Sequence, residues 1–175
     1  MHPTIRTSPL LLLLTVIAAL MLPAATAQAD QLAATVTGFL DDGSDFNGAF
    51  RVIRFRSTRL GVVASGLLVG TVTNSEGDLT DVLSIRVTVP VADIRSTSVS
   101  PGNVNCDFLL FAMDGINVRL TGVTLHTDPF DLGLKRDSVN AFGSQFCAIA
   151  DGFANGRFTQ ITSSLNTLLD TMVVR

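Results

Sequence analysis

Few side chains in this chain are placed to do chemistry. Asp41, Gly43, Asp45 and Asn47 alternate in an oxygen-rich run, Asp41-Asp42-Gly43-Ser44-Asp45-Phe46-Asn47. Carboxylate and amide oxygens at that spacing suit a hard cation, so Asp41, Asp45 and Asn47 form a calcium candidate. The run lacks the order of an EF-hand loop and its closing bidentate glutamate. It also reads as an ordinary turn, where aspartate is favoured because its side chain bonds nearby backbone. Glycoside cleavage by two of these acids would need a defined carboxylate separation. His126 is the one imidazole beyond the first turn of sequence, with Asp128 two residues on. Alternate strand residues share a face, so the two can meet, but no G-x-S-x-G elbow supplies a nucleophile. A secreted hydrolase is therefore a minor alternative, and His126 reads first as a surface residue near a strand end. Zinc lacks ligands. No P-loop or G-x-G-x-x-G stands at a strand-to-helix turn, which argues against nucleotides.

The elements that position these residues follow an export signal. Arg6 and the amino terminus supply positive charge, Leu10 to Leu22 is an uncharged run of 13 residues, and Pro23 leads into small residues ending Ala27-Gln28-Ala29. Charge, a short apolar core and an A-x-A site are the parts of a cleavable secretory signal. Residues 1–29 are expected to be removed, with a cut after Ala27 as the near alternative. A spanning helix needs about 20 apolar residues, which argues against an uncleaved anchor. No cysteine follows the cut to carry a lipid, and no second long apolar run follows it. The address read from this is secreted, periplasmic or cell-envelope.

Both cysteines, Cys106 and Cys147, lie beyond the signal. In an oxidising compartment they are expected to form one disulfide. A metal pair or a reactive thiol is the rival reading, and it would need neighbouring ligands.

Residues 30–175 amount to one domain with enough chain for a real core. Loss of Arg6 moves the net charge from −3 to about −4. Nucleic acid is excluded as a partner on that balance, because phosphate binding needs clustered Lys and Arg. Arg51, Arg54 and Arg56 are the one basic cluster and read as a solvated strand face. There is no Trp or Tyr, and Phe occurs 11 times. Sugar sites and outer-membrane barrels lean on the missing pair.

Alternation predicts strands at Leu32–Leu40, Phe46–Arg56, Gly61–Thr73 and Leu83–Val91. In the second, Phe50 and Val52 share a face that Phe55 leaves, unless a bulge near Ile53-Arg54 restores it. Glycines in the third suggest bending or close backbone approach. Pro90 predicts an edge or a strand end. Cys106–Met113 is apolar at nearly every position and fits strand or helix equally. Ile116–Thr127 reads as one strand bulged at Thr121-Gly122. From about residue 140 the spacing turns helical: Phe142, Phe146, Ile149 and Phe153, then Phe158, Ile161, Leu165, Leu168, Leu169 and Met172. The polar face of that last helix is neutral, which favours packing on the sheet over an anionic membrane. The expected fold is mainly β: an antiparallel sandwich or barrel of about six strands with C-terminal helical segments.

The order of certain short motifs is also informative. They are Phe50-Arg51-Val52, Gly66-Leu67-Leu68-Val69-Gly70-Thr71, Val89-Pro90-Val91, Cys106-Asp107, Cys147-Ala148-Ile149-Ala150 and Asn166-Thr167-Leu168-Leu169. Over residues 32–172 this series resembles a group of small, uncharacterised exported bacterial proteins. Asp128–Asp137 is more charged than the group's pattern. The resemblance implies export and a Cys106–Cys147 pair, and it supplies no activity or catalytic residue.

The function expected from these readings is an exported non-enzymatic module, binding or structural, at or outside the cell envelope, with no resident cofactor. The alternative is a carrier of an apolar small molecule or lipid, resting on the many Phe and the apolar stretch Leu60–Val72. A carrier calls for an internal cavity lined by Phe and Leu.

Overall fold

Apolar residues at every second position bury one face of a strand and leave the other wet. The computed structural model describes residues 32–98, 106–135 and 143–173; the expected signal at 1–29 and Phe142 lie outside these. Four long strands come first: β1 (Ala33–Leu40), β2 (Asp45–Thr58), β3 (Gly61–Thr73) and β4 (Leu79–Thr97). They are followed by β5 (Phe108–Met113), β6 (Asn117–Arg119), β7 (Thr124–Thr127) and β8 (Phe130–Lys135). Two helices close the chain, α1 (Gly143–Ala154) and α2 (Phe158–Val173). All eight strands form one antiparallel sheet in the order β6-β7-β1-β2-β3-β4-β5-β8.

The sheet has eight strands where about six were expected, and it is a single open sheet, neither a sandwich nor a closed barrel. It curls until its far edge returns to β1. β8 comes into contact with β1, and Phe130 of β8 meets Phe50 of β2 edge-on at 5.7 Å. β8 and β1 share no ladder, so the curl stops short of closure. Both extra strands have a physical reason. Gly122 adopts a left-handed φ of 93°, and Leu120 N–H donates to the Val123 carbonyl. The expected bulge is thus a tight turn, and the single strand becomes the β6–β7 hairpin. Phe130, Leu132 and Leu134 alternate with Asp131, Gly133 and Lys135 along β8, so Asp131 and Lys135 lie on the wet side.

The bulge in β2 stands where the phase shift required it. The register slips between Val52 and Arg54, and Phe55 returns to the core. β4 runs well past Leu83–Val91 at both ends. Pro90 sits inside it, opposite Val63 of β3. Its carbonyl accepts from Asp114 N–H, so its missing N–H faces the β5 side, just beyond the last rung at Val91–Met113. No donor is needed there.

The inner face carries the core. Phe46, Phe50, Phe55 and Phe111 are fully buried with Leu68, Leu109, Leu125 and Leu132. Phe146 and Ile149 of α1 and Ile161, Leu165, Leu168 and Leu169 of α2 join the same cluster. α2 packs on β2 and β3, and α1 on β4 and β5. The Cys106–Cys147 disulfide ties the approach to β5 to α1.

Among the described residues β1 pairs with β2 only as far as Ala33–Arg51, which leaves the second half of β2 with one edge unpaired by a strand. Asn166 of α2 covers it. Its Oδ1 accepts from Phe55 N–H at 2.8 Å and its Nδ2 donates to the Phe55 carbonyl at 3.0 Å. The side chain thus does for one residue what a neighbouring strand would do. Asn166→Leu keeps the bulk and strands both backbone groups. It is expected to lower the unfolding free energy by about 2 kcal/mol, read from urea denaturation. A loss under about 0.5 kcal/mol would mean that water replaces the amide freely.

Candidate functional site

Strand order brings together residues that are distant in sequence. β7 lies beside β1, with Phe39 opposite His126. Phe39 also faces Asp45 on its other side, and Asn117 faces His126 from β6. One row across four strands on the outer face therefore reads Asp45, Phe39, His126, Asn117. The Phe39 ring stacks on the imidazole at 5.3 Å with 26° between planes.

His126 is held at both nitrogens. Nε2 lies 2.8 Å from Asp41 Oδ1 and Nδ1 lies 2.7 Å from Asn117 Oδ1. Both face oxygen acceptors, an arrangement satisfied by the doubly protonated ring, or by a neutral ring if the Asn117 amide turns its NH2 inward. As arranged, neither nitrogen is turned to a hydroxyl whose proton it would take. The partners of His126 are Asp41, 85 residues away, and Asn117, and not the neighbouring Asp128.

The turn that carries Asp41 is locally built. Leu40 N–H donates to the Ser44 carbonyl, Gly43 N–H to the Leu40 carbonyl, and Ser44 N–H to Asp42 Oδ1. Asp41 N–H reaches across to the Thr124 carbonyl at 3.1 Å. Of the calcium candidates, Asp41 is engaged by His126, while Asp45 and Asn47 are exposed at the start of β2. Among the described residues no three His, Cys, Asp or Glu side chains converge as a metal site would require.

The Asp41 carboxyl is held below the ordinary carboxylate value of 3.8. The Thr124 side chain is the main cause and His126 the next. A carboxylate whose folded pKa is depressed stabilises the fold fully above its unfolded pKa. That contribution is lost as pH falls through the lower, folded value. Asp41→Asn is therefore expected to differ most from the parent in thermal melts above about pH 4, with the gap closing at more acid pH. A gap of constant size across that range would show that Asp41 is not the group responsible.

The cysteine pairing expected from compartment is present, with Cα atoms 5.4 Å apart. A cleft of about 400 Å³ opens between α1 and α2, lined by Gln145, Asp151, Arg157, Gln160 and Ser164 with Ile149 and Ile161. Neither Phe nor Leu lines it, and Asp151 and Arg157 are ion-paired beside it.

Among the described residues no helix lies on the outer face of the sheet. Phe39, Ile53, Val69, Val82 and Leu110 are exposed on it, Phe39 by 54% and Ile53 by 52%. The arginine cluster is there too, joined by one member that sequence distance concealed. Arg51 of β2 and Arg86 of β4 face the same residue, Leu67 of β3, from either side. No helix among the described residues is long and apolar enough to cross a membrane. No family model, curated protein or solved structure matches this chain.

Proposed function

We propose that this chain is an exported, disulfide-braced module that acts by surface contact at or outside the cell envelope, without catalysis. The observation that carries the reading is the bare outer face, with Phe39, Ile53, Val69, Val82 and Leu110 exposed while both helices cover the inner side. Val69 and Val82 are diagonal neighbours on adjacent strands of that face, and apolar side chains exposed side by side favour an interaction surface. Support comes also from His126, whose two nitrogens are spent in fixing a surface row and not in poising a base. The disulfide fits an oxidising address. The kinship is with the small exported bacterial proteins whose motif series this chain resembles; in that series the helix asparagine, Asn166, has a structural task as the cover of β2.

The test is fractionation of the producing cells. The chain is expected in the envelope or medium, shortened by its first 29 residues and without free thiols. The triple variant Phe39→Ser, Val69→Ser, Val82→Ser is expected to be exported and folded but to lose envelope retention. A full-length, reduced chain in the cytoplasm would overturn export. Unchanged retention of the triple variant would overturn the role of the outer face.

A further inference from the structure

The charge of this molecule is unevenly placed. Between Phe46 and Ser75 there are four arginines and no Asp or Glu, in a chain whose net charge is negative. Arg51, Arg54, Arg56 and Arg59 are carried by β2 and the turn that follows it, and Arg86 joins them from β4. None of the five has an ion-pair partner among the described residues. Most acids of these strands and their turns lie at the opposite end, Asp41, Asp42 and Asp45 around the β1–β2 turn and Glu76, Asp78 and Asp81 around the β3–β4 turn, while Asp93 of β4 lies near the basic end. The two ends of β2 are about 40 Å apart. Asp93 is spent on Arg95 of its own strand at 2.6 Å, and Asp151 of α1 on Arg157. Asp170, one turn past Asn166 on α2, stays exposed.

At the basic end, the β2–β3 turn presents Leu60 to solvent at 98% exposure. The presentation is built. Thr58 Oγ1 accepts from Leu60 N–H at 3.2 Å and donates to the Gly61 carbonyl at 3.1 Å. Gly61 takes a φ of 147°. The turn is thereby pinned with leucine outward and Arg59 and Arg56 beside it. Ile53, thrown out by the bulge, adds a second exposed aliphatic group next to Arg54.

We propose that the β2–β3 tip is a docking point for an anionic lipid bilayer, with Leu60 entering the acyl boundary and Arg56, Arg59 and Arg54 on the phosphates. Basic residues alone would suit any polyanion. A fully exposed leucine at the tip gains nothing from a soluble glycan and does gain from acyl chains. The acidic turns at the far end orient the molecule tip-first, since they are repelled by the same surface. The inference rests on the reading of the chain as exported, because only then does the tip meet a bilayer from outside the cytoplasm.

The experiment uses the purified, oxidised protein and vesicles of phosphatidylcholine, with and without phosphatidylglycerol. Flotation is expected with the anionic vesicles alone and to weaken as salt rises. Leu60→Asp, and separately Arg56→Glu with Arg59→Glu, are expected to lower the partition about tenfold or more. The substituted side chains are exposed, and unchanged melting confirms that the variants fold. The chain has no Trp, so Leu60→Trp gives a sole reporter whose emission should shift to the blue on anionic vesicles. Equal binding by Leu60→Asp, or no shift, would overturn the proposal. So would tight dextran sulfate binding that ignores Leu60, which would assign the patch to a soluble polyanion. In any of these cases envelope retention through the outer face could still hold, whereas a chain kept in the cytoplasm removes both.

Discussion

Replacing Cys106 and Cys147 together by serine is expected to remove roughly 4 kcal/mol of unfolding free energy, the chain-entropy value for a loop of this size. The bond joins positions 41 residues apart, and typical domains hold only about 5–15 kcal/mol in all. The loss has a place in the structure. Cys106 N–H also donates to the Gly143 carbonyl at 3.1 Å, so the disulfide and that bond together seat the first turn of α1 beside the start of β5. Without the covalent tie, α1 keeps Phe146 and Ile149 in the core but is held only by packing and that one backbone hydrogen bond. Urea denaturation of the parent and the double variant measures the effect, and reduction of the parent should reproduce it. A difference below about 1 kcal/mol would mean that the reduced, unfolded chain is already compact near these positions.

Gly66→Ala is expected to cost about 3 kcal/mol or more, at the upper end of overpacking. A Cβ at residue 66 would lie 2.3 Å from the Arg51 carbonyl oxygen and 2.5 Å from Cε2 of Phe50. The first is backbone of the adjoining strand and cannot swing aside. The second is a fully buried ring. β3 is thus thinned where β2 presses its phenylalanines onto it, and Gly70 is in the same position against Asn47 and Phe46. Gly133 on β8 is the control. A Cβ there meets only Leu110 Cδ2, at 3.5 Å, so Gly133→Ala should be neutral, or gain up to about 1 kcal/mol by restricting the unfolded chain. Equal losses at the two positions would show that backbone freedom, and not contact, governs both.

What the sequence disclosed and what it withheld follow from the range of the forces involved. The β2 bulge was legible because burial must repeat every second residue, and Phe55 broke that count. The crowding at Gly66 was legible in outline, since glycine inside an apolar strand has few uses. The β6–β7 hairpin was read as one bulged strand because a bulge and a two-strand turn shift the phase of side chains alike. β8 was not read as a strand: Asp128–Asp137 was noted only for its charge, and Asp131 and Lys135 are the wet half of an alternation. The site was the least legible part. His126 was matched with Asp128 on proximity, but its acidic partner is Asp41, delivered by a β1–β7 pairing that no local pattern announces. Arg86 was overlooked beside Arg51 for the same reason: 35 residues of chain separate two side chains that flank one leucine.

The strand order also sets a timetable. β1 to β5 follow one another as neighbours, so each pairs with the strand made just before it. This meander can form from short-range contacts alone, which close quickly. The last three strands then divide, with β6 and β7 going to the outside of β1 and β8 to the outside of β5. Both flanks of the early meander thus wait, unpaired, for chain that arrives later. The stretch between Cys106 and Cys147 contains every one of those late arrivals. Oxidation of that single pair therefore records completion: in pulse-labelling exchange, amides of β2 to β4 should gain protection first, and those of β1 and β5 facing the flanks should follow with disulfide closure.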